Sequence, residues 1–499
     1  MSQPTDFAPN LSHQSEVPLY RQLYEHIALR IRSGGLARGE RLPATRELAG
    51  LLGLNRTTVS AAYDILENEG LIAGQVGRGS FVTGGAQASA GGVDWNSLLE
   101  RVEHLPAGPP AGSSGSMGHE VVSFVMSRPA GALFPLDEFR ASCQAVLARP
   151  DLATILQLGS PSGYEPLRRH LMEEARRQSL ARAGDDLLIT NGCQQALDLI
   201  GRVLLRPGDT VAVEDPVYTG LKNLLAGMGA QLVGIPVGPD GMDIAHLERV
   251  LVRERPRFLV VTCNFQNPTG ATLSLSARRA LLAAARAARV PVVENDAYGE
   301  LRYQGDPLPA IKQLDEQDGT ILLRSFSKVS FPGLRVGWVV GPKLLLDRLR
   351  YAKESADLHT DQLAQAVLLE FAQSGRLEAH RASTLKAGGL RLEATLESCR
   401  RFLPAGTRWT QPEGGMNLWI RLPEPLDAGE LLPRAQKEGV AYLPGRYFAV
   451  SRLDPGALRL SFAGLEPDQI RRGLAILGRV VADEMANCSR SEGPSSALV

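Results

Sequence analysis

Apolar positions in the first eighty residues recur at helical spacing, in three short bursts. Leu19, Leu23, Ile27 and Ile31 form one stripe that stops at Gly34-Gly35. Thr45 to Leu52 reads as a second, short helix closed by Gly53. Asn55 can cap a third, whose inward positions are Val59, Tyr63 and Leu66, with Gly70 as the stop. Leu71-Ile72 and Gly77-Arg78-Gly79-Ser80-Phe81-Val82 then predict two short strands about a glycine-rich turn. Beyond Val121 the pattern changes. Strand-like apolar runs at 187–190, 210–214, 257–263, 291–294 and 320–323 alternate with helical stretches such as 194–204 and 276–288. That alternation predicts an α/β domain with a largely parallel sheet.

Between the two patterned regions, residues 84–120 are rich in Gly, Ala, Pro and Ser and cannot bury enough apolar surface to fold. Inside this connector, Trp95 in the run 93–99 marks either one docking helical turn or part of a wholly disordered tether. The chain therefore divides into a disordered arm (1–16), a helical module (17–83), a flexible linker (84–120), a large domain (121–487) and a polar, disordered tail (488–499).

Composition narrows the class. At 499 residues and 44% apolar content the chain can bury more than one core. The formal net charge is zero, so bulk electrostatics favour no polyanion, and any nucleic-acid contact must come from local charge. The five cysteines are scattered, with no CxxC pair, which argues for reduced thiols and against a disulfide framework or a metal site. Neither a signal peptide nor a run of membrane-spanning length is visible, and the expectation is a cytoplasmic protein with no membrane partner.

Helix, short helix, helix and hairpin make a winged helix-turn-helix, an α+β module. Its third helix opens Asn55-Arg56-Thr57-Thr58, with Ser60 a turn later, a polar and short-sided face suited to base edges in a major groove. Arg46 and Arg78 would meet the phosphate backbone. Residues 1–82 carry eight arginines and eight acidic side chains, so a single copy would hold double-stranded DNA weakly and dimerisation is expected. The alternative is a helical module for protein contacts. Leu42-Pro43-Ala44-Thr45-Arg46-Glu47-Leu48-Ala49, Asn55 to Val59, Glu69-Gly70-Leu71-Ile72 and the Gly77 to Val82 run resemble the DNA-binding signature of the GntR family.

In open α/β sheets ligands collect beyond the carboxyl ends of the strands, so the residues just past each strand are informative. Asn191-Gly192-Cys193 opens a helix whose free N–H groups suit a phosphate. Tyr218 offers a ring that can stack on a flat cofactor. Asn267, in Asn267-Pro268-Thr269-Gly270, places an amide beside a ring oxygen. Asp296, in Asn295-Asp296-Ala297-Tyr298, offers a carboxylate that can keep a pyridine nitrogen protonated, as electron-sink chemistry requires. Last comes Ser325-Phe326-Ser327-Lys328, with Arg335 seven residues on. A lysine in such a loop can condense with a carbonyl, while the serines and arginine grip a phosphate.

This region resembles the fold-type I, class I aminotransferases, which bind pyridoxal 5′-phosphate. The resemblance implies an α/β transferase fold with Lys328 as the Schiff-base residue and Asp296 at the pyridine nitrogen. Asn267 and Tyr298 would lie near the ring hydroxyl and Tyr218 would stack on the ring. Gly192, Cys193, Ser325, Ser327 and Arg335 would surround the phosphate, and Arg459 would pair with a substrate carboxylate. Gly414-Gly415-Met416 resembles the family's substrate-side turn. Leu158 stands where the family often has a phosphate-contacting tyrosine, and Tyr164 is the nearest replacement in sequence.

The combination resembles the MocR/GabR group of bacterial transcriptional regulators. It implies a multidomain, homodimeric regulator that senses an amino compound by aldimine exchange at Lys328. Two other readings stay open: a working aminotransferase with an appended DNA-binding module, and a sensor of pyridoxal phosphate itself.

Overall fold

The computed structural model describes residues 18–32, 35–75, 79–83 and 121–491. The arm (1–16), the linker (84–120), Arg78 at the hairpin tip and residues 492–499 lie outside the described residues.

In the N-terminal module three helices, Leu19–Arg32, Thr45–Leu52 and Arg56–Asn68, precede a hairpin of β1 (Ile72–Gln75) and β2 (Gly79–Val82), with Ile72 opposite Val82. Leu23, Ile27, Leu48, Val59 and Leu66 are fully buried and form one core with Tyr63 and Val82. Each such side chain contributes roughly 1.5–3 kcal/mol on leaving water. Gly53 ends the second helix in a left-handed conformation (φ 65°) that a Cβ would disfavour. Asn55 then caps the third helix by accepting from the Thr57 N–H at 3.2 Å. Tyr63 ties this helix to the preceding turn by donating to the Pro43 carbonyl at 2.9 Å.

The large domain opens with a short strand, β3 (Val122–Ser123), and is organised by an eight-stranded sheet. Its strands in chain order are β4 (Asp185–Thr190), β5 (Thr210–Asp215), β6 (Gln231–Gly238), β7 (Gly241–Met242), β8 (Leu259–Val261), β9 (Val292–Asn295), β10 (Thr320–Ser325) and β11 (Gly337–Pro342). Their spatial order is β4-β11-β10-β9-β8-β5-β6-β7. β11 and β7 run opposite to the other six strands, which share one direction. The continuous Val/Ile/Leu runs reflect burial on both faces. One face, through Ile321, Leu323 and Val293, packs on the helix Gly192–Leu204, and the other carries Leu187, Ile189, Leu322 and Val340 in a separate cluster.

β8 is shorter than the 257–263 run, because the Thr262 N–H leaves the ladder to donate to the buried Glu214 carboxyl at 3.2 Å. A second sheet, not read from the sequence, comprises β12 (Arg408–Trp409), β13 (Asn417–Arg421), β15 (Leu443–Pro444) and β16 (Ala457–Ser461), all antiparallel, while β14 (Val440–Ala441) pairs with β3. The long helices Arg376–Phe402 and Pro467–Ser491 share its core. The last helix runs to Ser491, which corrects the expected start of a disordered tail at 488. Ile470, Leu474, Leu477 and Val481 continue their stripe through Met485 and Cys488, which still pack on that core.

Candidate functional site

The carboxyl ends of the central strands open into a cavity of about 370 Å³. Lys328 enters it from a 3₁₀ turn, Phe326–Lys328, that follows β10 directly. Ser325 shapes that turn by accepting the Ser327 N–H at 3.0 Å. The Lys328 Nζ donates to the Ser127 carbonyl at 2.7 Å and stands 5.4 Å from the centre of the Tyr298 ring. Burial alone would raise the Tyr298 phenol, but the Lys328 charge, then hydrogen bonding and Arg459, outweigh it and hold the phenol below its ordinary value. Asn267 donates its Nδ2 to that phenol at 3.3 Å.

One end of the cavity is built for an anion. Gly192, at φ 79°, starts the helix Gly192–Leu204, so its first amides are free of intrahelical partners. Ser327 receives Arg335 Nη1 at 3.3 Å, and Arg335 Nη2 donates to the Asn191 carbonyl at 3.1 Å. A Cβ on Gly192 would lie 2.6 Å from that nitrogen, so only glycine leaves room there. Burial pushes the Cys193 thiol up to about 12, so this residue brings its backbone amide and no charge. Tyr218, 39% exposed, lines the wall, and Gly220 lets its ring lie flat against the chain, with an added Cβ only 2.5 Å from the ring atoms.

At the opposite side lies Arg459 of β16, only 4% exposed. Its Nη1 donates to Asn267 Oδ1 at 3.1 Å, its Nη2 to the Val125 carbonyl, and its Nε is buried without a partner. Its guanidinium sits 5.0 Å from the Phe448 ring. Burial lowers its pKa to about 10, and the groups that act on it electrostatically are Tyr298 and Tyr218, not a carboxylate. Arg446 and Arg452, the arginines nearest to it in the preceding sequence, do not line the cavity.

Asp296 requires correction. It does not line the cavity; Asn295 does. Along a strand successive side chains face opposite ways. Val293 and Asn295 share the face covered by the helix Gly192–Leu204, and Asp296 emerges on the other. There it accepts from Asn264 Nδ2 (2.9 Å) and from Arg324 Nε and Nη2 (3.1 and 2.9 Å). Leu158 is 73% exposed, and Tyr164 is buried in the core with its hydroxyl unpartnered, so neither lines the cavity. The Gly414–Gly415 turn is likewise outside it, packed on Phe265 and Leu301.

The sequence reading missed Ser127, Val125 and Phe448. The first two act through backbone carbonyls in an irregular segment, which no side-chain pattern reveals. In the N-terminal module Arg46, Asn55, Arg56 and Thr57 are exposed, while Thr58 and Ser60 are half-buried. The Asn55 side-chain oxygen is committed to the helix cap. Among the described residues no cluster of His, Cys, Asp or Glu is placed to hold a metal, and no helix is long and apolar enough to cross a membrane.

The profile of the family "Aminotransferase class I and II" matches residues 136–477. The chain belongs to the class I and II aminotransferase family. At its start, residues 19–82 match "Bacterial regulatory proteins, gntR family". Two similar proteins align across both parts. The "probable rhizopine catabolism regulatory protein MocR" of Rhizobium meliloti is 30% identical over 472 residues, 93% of this chain and 94% of that one. The "HTH-type transcriptional regulator TauR" of Rhodobacter capsulatus is 30% identical over 482 residues, 93% and 96% of the two chains. Among solved structures, the α-aminoadipate aminotransferase LysN of Thermus thermophilus, complexed with N-(5′-phosphopyridoxyl)-L-leucine, superposes with a TM-score of 0.72. It is 35% identical and covers 79% of this chain and all of that one.

The cofactor of this aminotransferase-family domain is pyridoxal 5′-phosphate. The cavity fits it where an aldehyde would meet Lys328 and where a phosphate would meet the Gly192 turn, Ser327 and Arg335. The lining departs from the family expectation in offering no carboxylate for the ring nitrogen; at the end of β9 it carries the amide of Asn295.

Proposed function

We propose that the chain is a DNA-binding transcriptional regulator whose large domain senses a small amino compound bearing a carboxylate. The observation that carries this reading is Arg459: a buried cation without a carboxylate partner, in the same cavity as the Lys328 amine. An uncompensated buried charge costs several kcal/mol, which an anionic ligand would offset. Planar, bidentate recognition of a carboxylate suits a guanidinium held this rigidly.

When bound, pyridoxal 5′-phosphate supplies a carbonyl carbon that condenses with primary amines. Ser325 and Ser327 shape the turn that would aim Lys328 at that carbon, and the Gly192 turn with Arg335 would hold the phosphate end. Asn267 and Tyr298, hydrogen-bonded to each other, would orient the ring from its hydroxyl edge. Lys328 would hold that carbon in the resting state, and its Nζ would serve as the base nearest a bound amine. In the N-terminal module Arg56, Thr57, Thr58 and Ser60 would meet base edges, with Asn55 capping their helix and Arg46 and Arg78 on the phosphates. The balanced charge of this module makes a homodimer the binding unit, and a cytoplasmic location follows from its target.

The test combines an absorbance titration of the cofactor band with operator binding, for wild type and Lys328→Ala. A band that shifts with one amino acid and a parallel change in DNA affinity, both lost in Lys328→Ala, are expected. An intact DNA response in Lys328→Ala would sink the reading.

A further inference from the structure

The cavity lining has a composition that the proposed sensing role does not by itself demand. Its cations and phenols are Lys328, Arg335, Arg459, Tyr218 and Tyr298, and among the described residues it contains no Asp or Glu at all. The carboxylate that β9 could have supplied is turned to the opposite face and consumed by Arg324 and Asn264. In its place Asn295 lines the cavity, at the carboxyl end of β9, with its Oδ1 buried and without a hydrogen-bond partner. An unsatisfied buried polar atom costs about 1–3 kcal/mol unless a ligand completes it.

We propose that Asn295 is the residue against the cofactor's ring nitrogen, and that it keeps this nitrogen neutral, so the site captures amines while transaminating them poorly. The inference rests on the cofactor-binding reading above. A carboxylate beside a ring nitrogen stabilises the protonated ring by charge, and the electron sink depends on that proton. An amide that turns its Nδ2 toward the ring, by a flip about its last torsion, donates to a neutral nitrogen and brings no charge. The surrounding cations further disfavour a positive ring. Loss of the proton from the ligand's α-carbon leaves an electron pair that a neutral ring accommodates far less well than a protonated one. The amine therefore stays attached instead of leaving as a carbonyl compound, which is the behaviour a sensor needs. Condensation itself requires only the carbonyl carbon and Lys328, and it is unaffected.

The test uses full-length protein loaded with pyridoxal phosphate labelled with ¹⁵N in the ring. Wild type is expected to show an unprotonated nitrogen resonance at neutral pH, and Asn295→Asp to move it into the protonated range. In single-turnover assays with an amino acid recognised by the wild type, Asn295→Asp should release carbonyl product faster by on the order of 10²-fold, the scale of one well-placed electrostatic partner. Asp296→Asn should leave the ring resonance where it is. A protonated nitrogen in wild type would overturn the proposal, and so would a shift caused by Asp296→Asn. Should Asn295→Asp fail to fold, the wild-type resonance alone decides. Failure here is distinct from failure of the sensing reading, since a protonated ring with intact amine capture refutes only this inference, whereas absence of any amine-dependent band refutes the other.

Discussion

Replacing Asp296 by Asn should damage the fold and spare the cavity. Asp296 is 6% exposed and accepts three hydrogen bonds, two of them from Arg324, whose side chain is only 16% exposed. Breaking a buried ion pair by removing one partner costs roughly 3–5 kcal/mol, because the remaining charge is left uncompensated. Asparagine keeps an acceptor for Asn264, and Glu300 still acts on Arg324, so the lower end, about 3 kcal/mol, applies here. With an unfolding entropy of about 2.1 cal/mol/K per residue over a domain of roughly 370 residues, this lowers the midpoint by about 4 °C. The assay is thermal unfolding followed by fluorescence of the buried Trp338, at equal cofactor concentration, alongside an amine titration of the absorbance band. A shift under about 1 °C together with a lost amine response would refute the reasoning and return Asp296 to the cofactor.

Two further outcomes test the electrostatics and the anion seat. Burial raises the Glu214 carboxyl to about 8, against the Gln266 and Thr262 donors, so the folded state favours its neutral form. Stability then falls as pH rises from the unfolded value of about 4.3 toward 8. Glu214→Gln should therefore gain on wild type by a few kcal/mol near pH 8 and by nothing near pH 4, read from urea midpoints; a pH-independent difference would contradict the assignment. Gly192→Ala forces a Cβ to 2.6 Å from Arg335 Nη2 at φ 79°, and cofactor affinity should drop at least about tenfold, since 1.4 kcal/mol suffices. Unchanged affinity by absorbance titration would remove the phosphate from this turn.

The helices of the N-terminal module were legible because punctuation marks their ends: Asn55 opens one helix and Gly53 closes another, as in the structure. Five strands of the central sheet, β4, β5, β8, β9 and β10, were legible as apolar runs, while β6, β7 and β11 were not read; Lys328 was legible because its serines and arginine cluster in one loop. Asp296 was misassigned because residue type was weighed before the two-residue period of the strand, which already sends 293 and 295 one way and 296 the other. In the second sheet β12 and β15 are only two residues long, too short for any apolar run to show. Long-range partners such as Ser127 for Lys328, 201 residues apart, leave no trace in local spacing.

Ser127 and Val125 have a further meaning. The two groups that would grasp a ligand, the Lys328 amine and the Arg459 guanidinium, both hold carbonyls of the short segment through which the chain enters the large domain. A carboxylate on Arg459 would compete for the donor that Val125 uses, and a Lys328 nitrogen bonded to a carbonyl carbon would give up N–H donors that it now offers Ser127. Ligand and entry segment therefore draw on the same two side chains, and what fills the cavity bears directly on how residues 125–127 are held. The binding pocket is also the clasp that fastens the first residues of the large domain.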